Sequence, residues 1–121
     1  MALKCLDTYA LVEISEANPH FSAYLQEDIV VPDLILAEFY ALLLRRFGKQ
    51  TAQYWQRKIE PYAKSVALPI LIEAMEFREG HRKENISFFD AVGYTYSLKN
   101  NCLFVTGDRE FKNLKNVEFR K

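Results

Sequence analysis

Four acidic residues lie in stretches that are otherwise apolar, and together they suit the binding of a divalent cation. Asp7 follows the apolar run ALKCL, Glu38 lies in LILAEF, Asp90 in ISFFDA and Asp108 in LFVTGDREF. Two carboxylates about 4 Å apart repel each other by roughly 4 kcal/mol at an effective dielectric constant near 20. If the four converge, they must keep protons or take up a cation. All-oxygen ligands favour Mg²⁺ or Mn²⁺ over zinc.

Two of these acids also suit an ordinary structural role. Ser87 and Asp90 have the S-x-x-D spacing of a capping box, and an acid in the first turn of a helix is favourable by about 0.3–1 kcal/mol. Asp108 suits the N-cap of a short helix through REFKNL. Gly93, one turn after Asp90, is predicted to leave space beside that carboxylate. Capping and function stay open at both positions.

Glu38 is the acid for which a structural role in its helix is least evident. Its helical neighbours three and four residues away are all apolar: Leu34, Ile35, Ala41 and Leu42. Glu38 is therefore predicted to project from the core-facing stripe, where an ionised carboxylate is costly unless it is paired or binds a cation. Pairing with Arg45 or Arg46 of the same helix, or a helix phase shifted by one residue, are the other interpretations.

The elements that position these acids alternate short apolar runs with longer helical periods. We predict strands in ALKCL, DIVVP, SVALP, CLFVT and VEFR. We predict helices in TYALVEIS, NPHFSAYLQE, ILIEAMEFREGHRKEN and SFFDAVGYTYSLKN, and over residues 33–47 and 49–64. This alternation is typical of a mostly parallel sheet covered by helices on both faces. The functional crevice of such a sheet lies beyond the carboxyl ends of its strands, where Asp7 and Asp108 are expected.

Length and composition indicate one soluble globular domain, residues 1–121. Sixteen basic and sixteen acidic side chains give a formal net charge of zero. No global positive field therefore attracts nucleic acid or a membrane, and such a partner must be held by local patches. The longest apolar run, Phe39 to Leu44, is far shorter than the roughly 20 residues of a membrane span, and the N-terminus has no secretory core segment.

Cysteine and histidine offer no competing metal site. Cys5 and Cys102 lie in apolar runs, and we interpret them as reduced, buried thiols of a cytoplasmic protein, with a disulfide between them as the less favoured alternative. His20 and His81 are isolated in the sequence and are predicted to be surface residues.

Basic residues form three groups: Arg45, Arg46 and Lys49; Arg78, Arg82 and Lys83; Arg109, Lys112 and Lys115. Most such groups are solvated faces. The third lies nearest the predicted acidic site, so Arg109 and Lys112 are favoured for contact with a substrate phosphate.

The four acidic stretches resemble those of PIN-domain ribonucleases, of the compact VapC type found as toxins of toxin–antitoxin pairs. The resemblance covers nearly the whole chain. It rests on LDT at 6–8, LILAEF at 34–39, ISFFDA at 86–91 and LFVTGDREF at 103–111. The last stretch, a strand ending in Thr-x-Asp before a Phe, is the most specific.

The resemblance implies a three-layer α/β/α fold with a five-stranded, mostly parallel sheet. It implies that Asp7, Glu38, Asp90 and Asp108 form a catalytic site for Mg²⁺ or Mn²⁺, steadied by the hydroxyl of Thr106. Asp7, Asp90 and Asp108 would hold the metal directly, and Glu38 would bind a second ion or orient the water. The implied activity is metal-dependent hydrolysis of RNA to products with a 5′-phosphate and a 3′-hydroxyl. The implied partners are the RNA substrate, a cognate small antitoxin and a second copy of the chain.

Several positions depart from the family pattern. Tyr9 stands where Ser or Asn is frequent, and Gly107 stands where a polar side chain is common. Glu110 occupies a position often held by Asp and is a candidate peripheral ligand through water. Tyr94 and Tyr96 replace small residues and are expected either to narrow the cleft or to stack on bases. The aromatic residues of the middle helices are assigned more to the core than to an antitoxin surface: Tyr40, Phe47, Tyr54 and Trp55.

Two other classes of protein are considered. A receiver-like phosphoacceptor domain needs an acidic pair after the first strand and an Asp after the third. Asp7 has no acidic neighbour, and no Asp lies between Asp33 and Asp90, so this class is disfavoured. A PIN-like module that binds RNA or protein without cleaving is the remaining alternative, and the presence of all four acids argues against it.

Overall fold

The computed structural model describes residues 2–121, and its centre is a sheet of five parallel strands. The strands are β1 (Lys4–Leu6), β2 (Ile29–Pro32), β3 (Ala63–Lys64), β4 (Leu103–Thr106) and β5 (Val117–Phe119). Their order across the sheet is β3-β2-β1-β4-β5. The prediction of a five-stranded parallel sheet is confirmed.

Helices cover both faces of the sheet, which confirms the predicted α/β/α layers. They are α1 (Thr8–Ser15), α2 (Pro19–Ser22), α3 (Asp33–Phe47), α4 (Lys49–Ile59), α5 (Leu68–Gly80) and α6 (Phe88–Lys99). Short 3₁₀ turns occupy Ala23–Gln26, Glu60–Tyr62, Arg82–Glu84 and Arg109–Phe111.

The central strands are buried on both faces. In β1, Leu6 packs into the core that contains α1 to α4, while Cys5 packs into the core that contains α5 and α6. Val105 and Phe104 of β4 divide between the two cores in the same way. This is the two-sided burial expected of parallel strands. Cys5 and Cys102 are buried and free, as predicted.

The third strand was placed wrongly by the sequence pattern. SVALP is not a strand: β3 is Ala63–Lys64, and α5 begins at Leu68. Pro69 lies in the first turn of α5, where its missing N–H costs no hydrogen bond. The helix predicted over 49–64 ends at Ile59 instead, because Pro61 cannot donate to the helical ladder.

The pairing of β1 with β4 fixes the edge at which the acidic residues lie. Leu6 pairs with Val105, and the Asp7 amide donates to the Val105 carbonyl at 3.1 Å. Both strands therefore end at the same edge, and the chain leaves β1 into α1 and β4 into a 3₁₀ turn. No helix within residues 2–121 is long and apolar enough to cross a membrane.

Gly93 does not leave space for a ligand, contrary to the sequence-based expectation. A Cβ at this position would lie 2.6 Å from Phe104 and 2.8 Å from Ile35. Glycine here allows α6 to pack closely on β4 and α3.

Gly93→Ala should therefore lower the free energy of unfolding by about 1–3 kcal/mol, the usual cost of overpacking a core. Urea denaturation measures the change. Gly80→Ala is the matched control, because nothing lies within 4 Å of a Cβ there. Alanine at a helical position gains up to about 1 kcal/mol. Equal stabilities of the two variants would contradict the packing role of Gly93.

Candidate active site

Asp7 is a buried carboxylate at the junction of β1 and α1. Its side chain is 2% exposed, and its Oδ1 caps α1 by accepting from the Ala10 amide at 2.7 Å. Burial is the largest cause that raises the pKa of Asp7 to about 8. The charges of Asp90 and Asp108 act in the same direction, and the hydrogen bonds from Thr106 and Ala10 oppose them. Asp7 therefore keeps its proton at neutral pH unless a cation binds beside its carboxylate.

Asp90 lies in the first turn of α6 and is held by the predicted cap. Ser87 is the N-cap, and its hydroxyl accepts from the Asp90 amide at 3.1 Å. Burial is the largest cause that raises the pKa of Asp90 to about 7, followed by the charges of Asp108 and Glu38. A side-chain hydrogen bond with Asp108 acts in the same direction. The cap and the electrostatic coupling therefore coexist.

Asp108 reaches the same edge from β4 and also caps a turn. Its Oδ1 accepts from the Glu110 amide at 2.9 Å, which confirms the predicted N-cap. The Thr106 hydroxyl, fully buried, accepts from the Asp108 amide at 3.1 Å. Thr106 therefore contacts the turn that carries Asp108, and its hydroxyl lowers the pKa of Asp7.

Glu38 joins the site from α3, through a contact that the sequence did not indicate. The Thr8 hydroxyl donates to the Glu38 carboxylate, which links α3 to the residue after Asp7. The core face of α3 is formed by other residues, Ile35, Phe39 and Leu43, so Glu38 lies half-buried at the edge of that face. Within residues 2–121 Glu38 forms no ion pair with Arg45 or Arg46, and the pairing interpretation is wrong.

The four carboxylates approach one another in coupled pairs. Asp7 is coupled to Asp90 and to Asp108, and Asp90 is coupled to Asp108 and to Glu38. In the part of the chain that is described, none of the four pairs with a basic side chain. Within residues 2–121, no three Asp, Glu, His or Cys side chains are arranged so that they could hold a metal ion. In their chemistry the four acids suit a hard divalent cation, because their donor atoms are all oxygen and no basic side chain of residues 2–121 pairs with them.

Tyr9 and Gly107, two departures from the family pattern, form one packed contact. A Cβ at Gly107 would lie 2.6 Å from the Tyr9 ring, so the large residue fits only because its neighbour lacks a side chain. Lys121 covers this pair: its Nζ donates to the Gly107 carbonyl at 3.1 Å and lies 5.8 Å from the centroid of the Tyr9 ring. Sequence reasoning missed Lys121, since nothing in the pattern joins the end of β5 to this edge.

Tyr94 and Tyr96 are core residues, so the expectation that they line the cleft is wrong. Both are buried, and the Tyr94 hydroxyl donates to the Lys115 carbonyl at 3.0 Å. The Tyr94 ring packs edge-on against Phe104.

The remaining predicted residues lie near the surface. Arg109, Glu110 and Lys112 are exposed, and the Lys112 Nζ lies 5.5 Å from the centroid of the Phe119 ring. His20 is exposed and His81 is half-buried against Phe77.

Comparison with known proteins gives one family and several similar structures. The PIN domain family model matches residues 4–117, a span that contains all four acids. No curated protein matches the chain significantly.

The similar structures share the fold over nearly the full chain. VapC20 of Mycobacterium tuberculosis, a toxin that cleaves the sarcin–ricin loop, has a TM-score of 0.80 at 20% identity, covering 98% of this chain and 99% of that one. VapBC2 of Rickettsia felis, bound to promoter DNA, has a TM-score of 0.79 at 17% identity, covering 98% and 99%. A toxin–antitoxin complex of Klebsiella pneumoniae has a TM-score of 0.73 at 12% identity, covering 98% and 96%. At these identities the likeness establishes the fold.

The raised pKa values of Asp7 and Asp90 predict a pH-dependent stability in the presence of a chelator. In the unfolded chain an Asp carboxyl loses its proton near pH 4, whereas folding raises the pKa of Asp7 to about 8 and that of Asp90 to about 7. The folded state binds more protons between these values, so the free energy of unfolding falls as the pH rises through this window. Urea denaturation at about pH 5 and about pH 8.5 should show the loss.

Asp7→Asn and Asp90→Asn should each lose less stability across that window than the parent. Asp33→Asn, at an exposed acid in the first turn of α3, should keep the parent's dependence. A parent profile that rises between the two pH values, or four identical profiles, would contradict the assignment.

Proposed function

Because the chain belongs to the PIN domain family, we propose that it is a metal-dependent endoribonuclease, the toxin of a toxin–antitoxin pair. Residues 1–121 would act as one nuclease domain that hydrolyses RNA phosphodiester bonds. The observation that carries the proposal is the coupling of Asp7, Asp90 and Asp108 at the carboxyl edge of the parallel sheet. The activity of the structurally similar VapC20, cleavage of the sarcin–ricin loop, supports RNA as the substrate.

Asp7, Asp90 and Asp108 are the residues that would hold Mg²⁺ or Mn²⁺. When bound, such a cation lowers the pKa of a water molecule and offsets negative charge on the reacting phosphate. The Ala10 and Glu110 amides restrict the carboxylates of Asp7 and Asp108, so these two lose little conformational freedom on binding. The Ser87 cap fixes the backbone of Asp90. Thr106 accepts from the backbone amide of Asp108, and its hydroxyl lowers the pKa of Asp7, which suits the supporting role that its resemblance to the family hydroxyl implies.

Glu38 would have a different role from these three acids. The hydroxyl of Thr8 fixes its carboxylate, and its charge acts on Asp90. We assign Glu38 to a second ion or to the orientation of the attacking water. The products would carry a 5′-phosphate and a 3′-hydroxyl. Arg109 and Lys112, exposed beside Asp108, would contact the substrate phosphate.

The partners would be a small antitoxin and a second copy of the chain. Structures of a toxin–antitoxin complex from Klebsiella pneumoniae and of VapBC2 from Rickettsia felis support the first. Two exposed apolar patches could bury surface against these partners, one on α3 and α4 and one on α5: Leu44, Phe47 and Tyr54; Leu68, Ile72 and Met75.

Cleavage of a mixed RNA pool should require Mg²⁺ or Mn²⁺ and stop in EDTA. Asp90→Asn keeps the shape of the side chain but removes its charge. It should lower the rate by more than about 100-fold, beyond the 10–100-fold typical of residues that only support a ligand. Gel assays with purified protein measure the rate, with Asp33→Asn as the control acid.

An Asp90→Asn variant that cleaves like the parent would show that the site is assigned wrongly. Metal binding by the parent without turnover of any RNA would favour the non-catalytic PIN-like module.

Mg²⁺ or Mn²⁺ should also stabilise the fold, because only the folded chain brings the acids together. At about 100 times its dissociation constant, one bound ion adds about 2.7 kcal/mol to the free energy of unfolding. The affinity should increase from pH 6 to pH 8, since Asp7 and Asp90 must lose their protons. Calorimetric titration measures the affinity at each pH, and the melting temperature measures the stabilisation. An equal stabilisation of Asp7→Asn would place the ion elsewhere.

A further inference from the structure

A cleft of about 400 Å³ opens directly beside the acidic site, between α3 and the start of α6. It is lined by Ala37, Glu38, Ala41, Leu42, Arg45 and Phe89. Glu38 belongs to both the cleft and the coupled acids, and Phe89 is the residue before Asp90. The cleft is therefore continuous with the proposed reaction centre.

The walls of the cleft differ in chemistry along its length. Glu38 and Arg45 are seven residues apart on α3, which places them two turns and about 10 Å from each other along the helix axis. The small side chains of Ala37 and Ala41 leave the space between them open, opposite the aromatic ring of Phe89. One end thus meets the acids, the middle is apolar and aromatic, and the far end carries a cation.

Arg45 and Phe89 are both free to meet a ligand. Arg45 is exposed and forms no ion pair with any acid of residues 2–121. Phe89 is half-buried, and its ring meets Phe88 edge-on with the centroids 5.4 Å apart. Aromatic rings beside cationic groups are the usual means by which proteins hold single-stranded nucleic acid.

We propose that this cleft is a nucleoside subsite for the RNA substrate, which determines base preference next to the scissile phosphate. Phe89 stacks on one base, and Arg45 contacts the next phosphate along the strand. The inference rests on the proposed ribonuclease activity and specifies how that site selects its substrate. A base is uncharged, so it can stack on the uncharged ring of Phe89. The negatively charged phosphate contacts Arg45, at the end of the cleft away from Glu38.

A protein segment is the competing occupant, and the observations favour RNA. The cleft begins at Glu38, so it offers a substrate strand that leaves the acidic site a path along α3. A protein partner has larger apolar surfaces available to it, for instance around Phe47 and Tyr54, which are 56% and 52% exposed.

Binding is tested first without catalysis. The four nucleoside 5′-monophosphates are titrated in turn into the chelator-treated parent, and the methyl resonances of Ala37 and Ala41 are followed by NMR. We expect saturable shifts at both alanines and none at Ala17, which is exposed on the loop after α1. Phe89→Leu should weaken binding roughly tenfold, the size typical of one lost base–aromatic stack. Phe89→Trp, which keeps an aromatic ring at this position, should retain the affinity for the nucleotide.

Cleavage is tested next on an RNA pool of random sequence, with the new 5′ ends sequenced. Phe89→Leu and Arg45→Ala should raise KM roughly tenfold. Phe89→Leu should also flatten the base preference at one position beside the cut. Arg46→Ala is the matched control, because Arg46 is exposed on α3 and lies outside the cleft.

The outcomes separate this inference from the proposed activity. Nucleotide binding in the cleft by a chain that cleaves no RNA would uphold the subsite and refute the ribonuclease. Cleavage whose KM and base preference are the same in the cleft variants and their control would overturn the subsite alone. Unchanged cleavage combined with lost affinity for the cognate antitoxin would assign the cleft to a protein and also overturn it.

Discussion

The parallel pairing of β1 with β4 is the constraint on which the site depends. It sets Leu6 opposite Val105, so that the two strands end together and Asp7 emerges beside Thr106. Both strands are buried on both faces, and their ends cannot move apart without opening two hydrophobic cores. The sheet therefore holds carboxylates close to one another although their charges repel.

This arrangement costs stability in the absence of a cation. Asp7 and Asp90 are removed from water and face like charges, and within residues 2–121 no basic side chain pairs with them. At neutral pH, the protons that Asp7 and Asp90 retain reduce this loss of stability. A divalent cation would remove the same cost by a different route, so proton release and metal binding would be linked at these two acids. Lys121 does not replace the cation, since its ammonium group donates to the Gly107 carbonyl rather than to a carboxylate.

Much of the fold could be predicted because local signals were strong. Gly48 follows α3, Asn18 and Pro19 begin α2, and the buried strands β1, β2 and β4 read as apolar runs. The third strand could not be found in this way, since β3 is only two residues long and one of them is a lysine. Its position depends on pairing with β2, which is a tertiary contact and leaves no pattern in the sequence.

The candidate site, like the fold, could be predicted only in part from the sequence. The four acids stood out because each is unusual in its local sequence, and Ser87 and Thr106 were also expected beside Asp90 and Asp108. The partner of Glu38 was not. Thr8 reaches Glu38 across thirty residues, and such a partner has no periodic signature.

The contact of Tyr9 with Gly107 shows how two departures from a pattern can compensate. Considered singly, each replaces a polar contact near the acids and suggests a weakened site. In the structure the absent side chain of one makes room for the ring of the other, and Arg120 extends β5 by donating its amide to the Thr106 carbonyl at 2.9 Å. The edge is thus closed by packing rather than by a polar side chain at residue 9 or 107. The positions of Asp7 and Asp108 are set by the ends of β1 and β4 and by their helix caps, so Tyr9 packs at the rim of the site without fixing either carboxylate.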